Sequence, residues 1–142
     1  MSHSFHKIWI HAVWATKERK PLISPQVEQK IYRFIGSELG EIGCPVRIIN
    51  GMPDHIHCLF RLHSQRSIAQ VVKQIKGSSS HYINLELLLP HPFAWQTGYA
   101  AFSVSESGIE NVVEYIKNQK LHHQRRTYEQ EYGALLKAYG FA

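Results

Sequence analysis

Apolar and polar residues follow two different periods along this chain, and the change of period marks the predicted elements. Residues 5–16 form an apolar run rich in aromatic and β-branched side chains, which predicts a buried strand. Residues 46–51 and 55–62 predict two more strands, and the tight turn at 52–54 between them favours an antiparallel hairpin. Residues 93–103 predict a fourth strand.

Between these strands the apolar residues recur at helical spacing, which predicts helices. The first helix is predicted to start at Ser24, a capping hydroxyl followed by a proline, and to stop at Gly43. The second is predicted to start at Ser67, and the glycine and serines at 77–80 weaken the helical pattern at that point. Residues 82–89 are therefore predicted to form a further helix.

The order of elements predicts the fold class. After the fourth strand, Ser107-x-x-Glu110 predicts a capping box for another helix, and the tail at 127–142 predicts a short peripheral one. The order β-α-β-β-α-β-α is satisfied by the ferredoxin-like split β-α-β arrangement, an α+β fold with helices on one face of a four-stranded antiparallel sheet. With 142 residues, 44% of them hydrophobic, the chain supports one core and is predicted to be a single domain, 1–142.

Composition narrows the class of partner. The formal charge of +5, the pI near 9.3 and the ten histidines favour a nucleic-acid partner, although an ordinary basic protein has the same composition. Cys44 and Cys58 are too far apart for a Cys-x-x-Cys pair and are predicted to be small buried side chains. Polar residues interrupt the first fifteen positions, so neither a signal peptide nor a membrane segment is expected, and the predicted setting is the reduced cytoplasm.

Two histidines are candidate metal ligands. His55 and His57 are two residues apart on a predicted strand, so both imidazoles point to one face of the sheet, about 6.6 Å apart along the strand. Ile56, Cys58 and Phe60 point to the other face, where helices would pack. Two nitrogen ligands at this spacing can share one ion. A His-x-His pattern in a strand also arises incidentally, so the pattern alone leaves both interpretations open.

Tyr115 and Gln119 are the second candidate pair. They are four residues apart on the predicted last helix and flank its apolar stripe at the edge of the buried face. From there a phenol could reach a ligand, and an amide oxygen one turn later could bind a metal ion. The alternative is a boundary tyrosine that packs its ring and hydrates its hydroxyl. His122 lies beside Tyr115 and is interpreted as a surface histidine.

Several stretches together resemble the single-tyrosine HUH transposases of small bacterial insertion sequences and their domesticated relatives. The stretches are HAVWATKERKP, PDHIHCLF, VVKQIKGSSSHYI, WQTGYAAFSVS and YIKNQKLHH. The resemblance implies that Tyr115 is a nucleophile and that His55, His57 and Gln119 bind Mg²⁺ or Mn²⁺. It also implies a homodimer, a hairpin-bearing single-stranded DNA substrate, and cleavage and rejoining through a 5′-phosphotyrosine intermediate.

Basic residues would hold the DNA phosphates. The candidates are Lys17, Arg19, Lys20, Lys73, Lys76, Arg125 and Arg126. Two other classes of function stay open. One is a non-catalytic module that binds single-stranded DNA or RNA with the same sheet topology. The other is an HUH endonuclease of replication or plasmid transfer.

Overall fold

Four strands and five helices form the fold in a computed structural model, which describes residues 4–141. The strands are β1 (Ile8–Ala15), β2 (Val46–Met52), β3 (His55–Leu62) and β4 (Ala100–Val104). The helices are α1 (Glu28–Glu41), α2 (Ile68–Leu85), α3 (Ile109–Lys117), α4 (Gln119–His122) and α5 (Tyr128–Ala138). The first three residues and Ala142, part of the predicted tail helix, lie outside this range. Within it, no helix has the length and apolar character needed to cross a bilayer.

The strands pair in the order β2-β3-β1-β4, and every pairing is antiparallel. The predicted ferredoxin-like α+β topology is therefore confirmed. The β2–β3 hairpin turns tightly at Pro53 and Asp54, as predicted. Gly51 is required beside this turn, because a Cβ there would lie 2.2 Å from the His55 carbonyl oxygen.

The two faces of the sheet bury different sets of side chains. On one face, β1 and β3 pack against α1 and α2 in the main core, which contains Trp14, Ile56, Cys58 and Phe60. On the other face, Leu59 packs with α3, and a further cluster packs β1 and β4 against α5. The sheet is thus covered on both sides, and the face opposite the main core carries the histidines.

Three predicted elements have the wrong boundaries. The first helix, α1, starts at Glu28 and not at Ser24, and no described side chain caps it. Of residues 93–103, only the last few pair with β1, because Gly98 takes a positive φ of 95° and the chain before it forms an irregular apolar segment. α2 continues through 77–80, so the separate helix at 82–89 does not exist. Its buried Ser79 and Ile83 show that packing outweighs weak helix propensity here.

The segment around the last strand also departs from prediction. The Ser107 hydroxyl contacts that of Ser105 at 3.3 Å, and no side chain caps α3, so the predicted capping box is wrong. α3 ends at Lys117, and Asn118 separates it from α4. The tail forms α5, capped by Thr127, but this helix is not peripheral, since its Tyr128 and Glu131 are buried.

A candidate metal and tyrosine site

The histidine pair lies in the middle of the sheet. β3 points His55 and His57 to the face covered by α3, α4 and α5, whereas Ile56 and Cys58 point into the main core. The predicted alternation is therefore confirmed. Both imidazoles are fully buried, which is unusual for side chains that can carry charge and indicates that their polar atoms have partners.

Those partners orient the two rings. His55 Nδ1 lies 2.8 Å from Asp54 Oδ1, and His57 Nδ1 lies 2.8 Å from His11 Nε2. A metal ion bound at Nε2 would leave the ring hydrogen on Nδ1, from which each imidazole would donate to its partner. His11 suits the acceptor role, because burial lowers its pKa to about 3 and keeps it neutral. Sequence reasoning did not identify His11 or Asp54.

The candidates from the predicted last helix meet the histidines within one chain. Gln119 is fully buried, and its Oε1 lies 3.1 Å from His55 Nε2. Tyr115 is half-buried, with its ring centroid 5.7 Å from that of His57. The interruption at Asn118 does not separate them, since both helices stay on the same face of the sheet.

Glu131 of α5 joins the site, although sequence reasoning missed it. Its Oε1 lies 3.1 Å from His55 Nε2 and 3.2 Å from His57 Nε2, and its Oε2 accepts hydrogen bonds from Tyr115 and Gln119. His123 Nε2 also lies 3.0 Å from Oε1. A capping box at Thr127-x-x-Gln130 could have predicted the helix, but an isolated glutamate has no spacing that marks it as a ligand.

Hydrogen bonds dominate the electrostatics of the cluster. Burial alone would raise the pKa of Glu131, but hydrogen bonds from His55 and His57 outweigh it and hold that pKa far below its usual range. Burial opposes protonation of His55, yet hydrogen bonds to Asp54 and Glu131 raise its pKa. Burial lowers the pKa of His57 to about 4. The cluster therefore contains a carboxylate anion and a neutral His57.

The donor set suits a divalent cation. One ligand atom from each of His55, His57 and Glu131 lies within 4.8 Å of the others. Imidazole nitrogen combined with carboxylate and amide oxygen is a donor mixture that Mn²⁺ accepts and that Mg²⁺ can use when water completes its shell. The residues present thus fit the metal ion that the sequence predicts.

Asn50 fixes the position of α3 relative to the histidines. It pairs with His57 across the β2–β3 register, and its Nδ2 donates to the carbonyl oxygens of Ile116 and Lys117 at 3.0 and 3.2 Å. These carbonyls belong to the last turn of α3, where helix carbonyls generally lack the partners they have in the helix interior. The Asn50 amide therefore connects β2, the strand that pairs with the histidine strand β3, to the helix that carries Tyr115.

Replacing Asn50 with alanine is expected to lower the free energy of unfolding by about 1–2 kcal/mol, since the two hydrogen bonds to α3 and the longer one from Lys120 Nζ to Asn50 Oδ1 are lost. The rate of DNA cleavage, the activity that the resemblance implies, should fall several-fold under conditions where the variant stays folded, because Tyr115 loses its alignment. Urea unfolding and a single-turnover cleavage assay measure the two effects. Asn111→Ala, an exposed change on α3, is the matched control and should alter neither quantity. Equal activity of the two variants would contradict this positioning role.

The predicted DNA-binding residues differ in their exposure and in their protein partners. Lys17, Lys73 and Arg125 are exposed. Others already have protein partners: Arg19 pairs with Glu129, Lys20 with Glu18, and Lys76 donates to the carbonyls of Gln96 and Gly98. Arg126 is half-buried, and its charge opposes the rise of the Tyr115 pKa. Their contacts with DNA stay predictions.

His122 is not the surface residue that was predicted. Its ring lies 5.0 Å from that of Tyr115, and its Nε2 is buried without a hydrogen-bond partner among residues 4–141. Cys44 and Cys58 are buried and unpaired with each other, as predicted. Trp14 is buried in the main core, and Trp9 and Trp95 are partly buried beside core clusters, which favours packing over base stacking.

Comparison with known proteins places the chain in a family. It matches the family model described as "Transposase IS200 like" over residues 4–119. It is 26% identical over 119 residues to the ISDra2 transposase TnpA of Deinococcus radiodurans, covering 80% of this chain and 85% of that protein.

Two solved structures have the same fold. A candidate transposase from D. radiodurans R1 superposes with a TM-score of 0.65 and 27% identity, over 84% of this chain and 95% of that one. A REP-associated tyrosine transposase bound to a REP hairpin gives a TM-score of 0.60 over 87% of this chain and 74% of that one. Its identity of 17% supports the fold alone. Since the family model spans most of the sequence, this protein belongs to the IS200-like transposase family.

Proposed function

We propose that this transposase cleaves and rejoins single-stranded DNA at hairpin-marked element ends through a covalent 5′-phosphotyrosine bond at Tyr115. The observation that carries the proposal is the convergence of Tyr115 with His55, His57 and Gln119 inside one chain. A module that only bound nucleic acid would leave this buried cluster without a role. The family match favours a transposase over an endonuclease of replication or transfer.

Tyr115 is the residue that forms and later breaks the covalent bond to DNA in this proposal. Tyr115 attacks the phosphorus atom, so the new bond joins its oxygen to the 5′ phosphate and the 3′ oxygen leaves. The bond energy is retained in the phosphotyrosine, so a second 3′ hydroxyl can reverse the step and join strands without ATP. Each subunit supplies one nucleophile, which favours a homodimer when two ends are processed.

Tyr115 needs help to lose its proton. Burial and the hydrogen bond to Glu131 both raise the pKa of its hydroxyl above the usual value, so the phenol is protonated at neutral pH. His55, His57 and Gln119 would hold Mg²⁺ or Mn²⁺ beside it. Such an ion, when bound, polarises the scissile phosphate and stabilises the departing 3′ oxygen. Arg125 and Arg126, next to the site, would bind flanking phosphates.

A denaturing gel tests this proposal directly. The protein incubated with a hairpin-bearing single strand and Mn²⁺ or Mg²⁺ is expected to form an adduct that survives denaturation, and EDTA should abolish it. The same strand with the hairpin disrupted is the control and should react less. An adduct that persists in EDTA would contradict metal dependence, and its absence with both ions would contradict the cleavage proposal.

A further inference from the structure

We propose that Glu131 is a further catalytic residue, which binds the metal ion through Oε1 and accepts the proton of Tyr115 through Oε2. The inference rests on the proposed function, because it assigns a role within the same cleavage step. Glu131 lies on α5, beyond residues 4–119 that the family model matches.

Oε1 of Glu131 has the spacing of a metal ligand. Donor atoms at neighbouring positions of an octahedral ion, each about 2.1 Å from the metal, lie about 3 Å apart. Glu131 Oε1 is 3.1 Å from His55 Nε2 and 3.2 Å from His57 Nε2. Gln119 Oε1 is 3.1 Å from the same His55 nitrogen. Each of these three pairs has the separation expected of ligands on one ion.

Oε2 of the same carboxylate contacts the nucleophile. The Tyr115 hydroxyl donates to it, and Gln119 Nε2 donates to it at 2.7 Å. A proton acceptor must lie within hydrogen-bond reach of the group that it deprotonates. Of the described residues that hydrogen-bond to Glu131 Oε2, Tyr115 has the one hydroxyl, so a proton transferred to Oε2 would come from Tyr115.

The surroundings hold this carboxylate in place. Glu131 is fully buried, and a buried carboxylate destabilises a fold unless its oxygens are paired. Tyr128, one turn earlier on α5, packs its ring 4.3 Å from that of His55. Thr127 caps the helix through a reciprocal bond with Gln130. The helix is thus anchored at the end from which Glu131 enters the site.

The proposed step conserves atoms and charge. The oxygen–phosphorus bond forms at Tyr115 as the bond from phosphorus to the 3′ oxygen breaks, and that oxygen keeps the bonding electrons. The Tyr115 proton moves to Glu131 Oε2, and the 3′ oxygen takes up a proton from solvent. No oxidant or additional reactant is needed. When a 3′ hydroxyl attacks the phosphotyrosine, it gives its proton to solvent, the bond between phosphorus and the Tyr115 oxygen breaks, and Glu131 returns its proton to that oxygen.

Mn²⁺ binding without DNA tests the ligand role. Isothermal titration with Glu131→Gln is expected to show affinity reduced about tenfold or more. Glu129→Gln, the same change at an exposed position of α5, should bind Mn²⁺ like the wild type. Glu131→Asp keeps a carboxylate and should regain part of the affinity. Far-UV circular dichroism of each variant verifies that the fold is retained.

Adduct formation at saturating Mn²⁺ tests the proton-acceptor role. The single-turnover rate of Glu131→Gln is expected to fall about 100-fold or more. Unchanged Mn²⁺ affinity in Glu131→Gln would overturn the ligand role, and an unchanged or faster saturated rate would overturn the acceptor role. His57→Ala separates the two proposals. If His57→Ala and Glu131→Gln both bind Mn²⁺ like the wild type, the proposed metal site is wrong. If only Glu131→Gln does so, the metal site stands and Glu131 is not one of its ligands.

Discussion

Tyr115→Phe is expected to abolish the covalent protein–DNA adduct, a loss of at least about 10⁴-fold in its rate of formation. The change removes only the oxygen that attacks phosphorus. The ring keeps its contacts with His57 and His122, at centroid distances of 5.7 and 5.0 Å, so the fold and DNA binding should persist. A denaturing gel measures the adduct, and a native mobility shift measures binding of the hairpin.

The matched control is Tyr139→Phe. Tyr139 is exposed, and its ring stacks on Phe102 at 4.2 Å, away from the histidines. Removing its hydroxyl should leave adduct formation unchanged. If Tyr115→Phe still forms the adduct, another side chain is the nucleophile and the assignment of Tyr115 is wrong.

Much of the sheet could be predicted because alternation and turn chemistry are local signals. β3 has the predicted limits, His55–Leu62, since the turn before it and the apolar side chains that alternate along it fix both its start and its register. The apolar run at 93–103 gave no comparable indication of where pairing begins. Its aromatic side chains Phe93 and Trp95 pack edge to face at 4.7 Å in an irregular segment. Only an isolated antiparallel bridge, Trp95 with Thr16, forms there, so a buried apolar segment with little pairing has the sequence pattern of a strand.

The same difference between local and long-range signals decides which residues of the candidate site could be predicted. His55 and His57 could be found because a two-residue period places them on one face, and Tyr115 with Gln119 because a four-residue spacing does the same on a helix. Glu131 and His11 come from elements distant in sequence, and only tertiary packing brings them to the histidines. Glu131, which contacts both the proposed nucleophile and the proposed metal ligands, is therefore the residue that no local pattern marks.

His57→Ala is expected to retain binding of the DNA hairpin and to lose cleavage by more than about 100-fold, since even outer partners of metal ligands contribute about 10- to 100-fold. His57 is fully buried, so its removal affects the ion and its partners His11 and Glu131 and leaves the exposed basic side chains in place.

Mobility shift and single-turnover cleavage separate the two functions in His57→Ala. His91→Ala, a change at an exposed loop position, serves as the control and should alter neither. Equal loss of binding and cleavage in His57→Ala would indicate that the imidazole supports the sheet and not an ion. Cleavage lost with binding intact is the expected result and would support a metal site that includes His57 of β3.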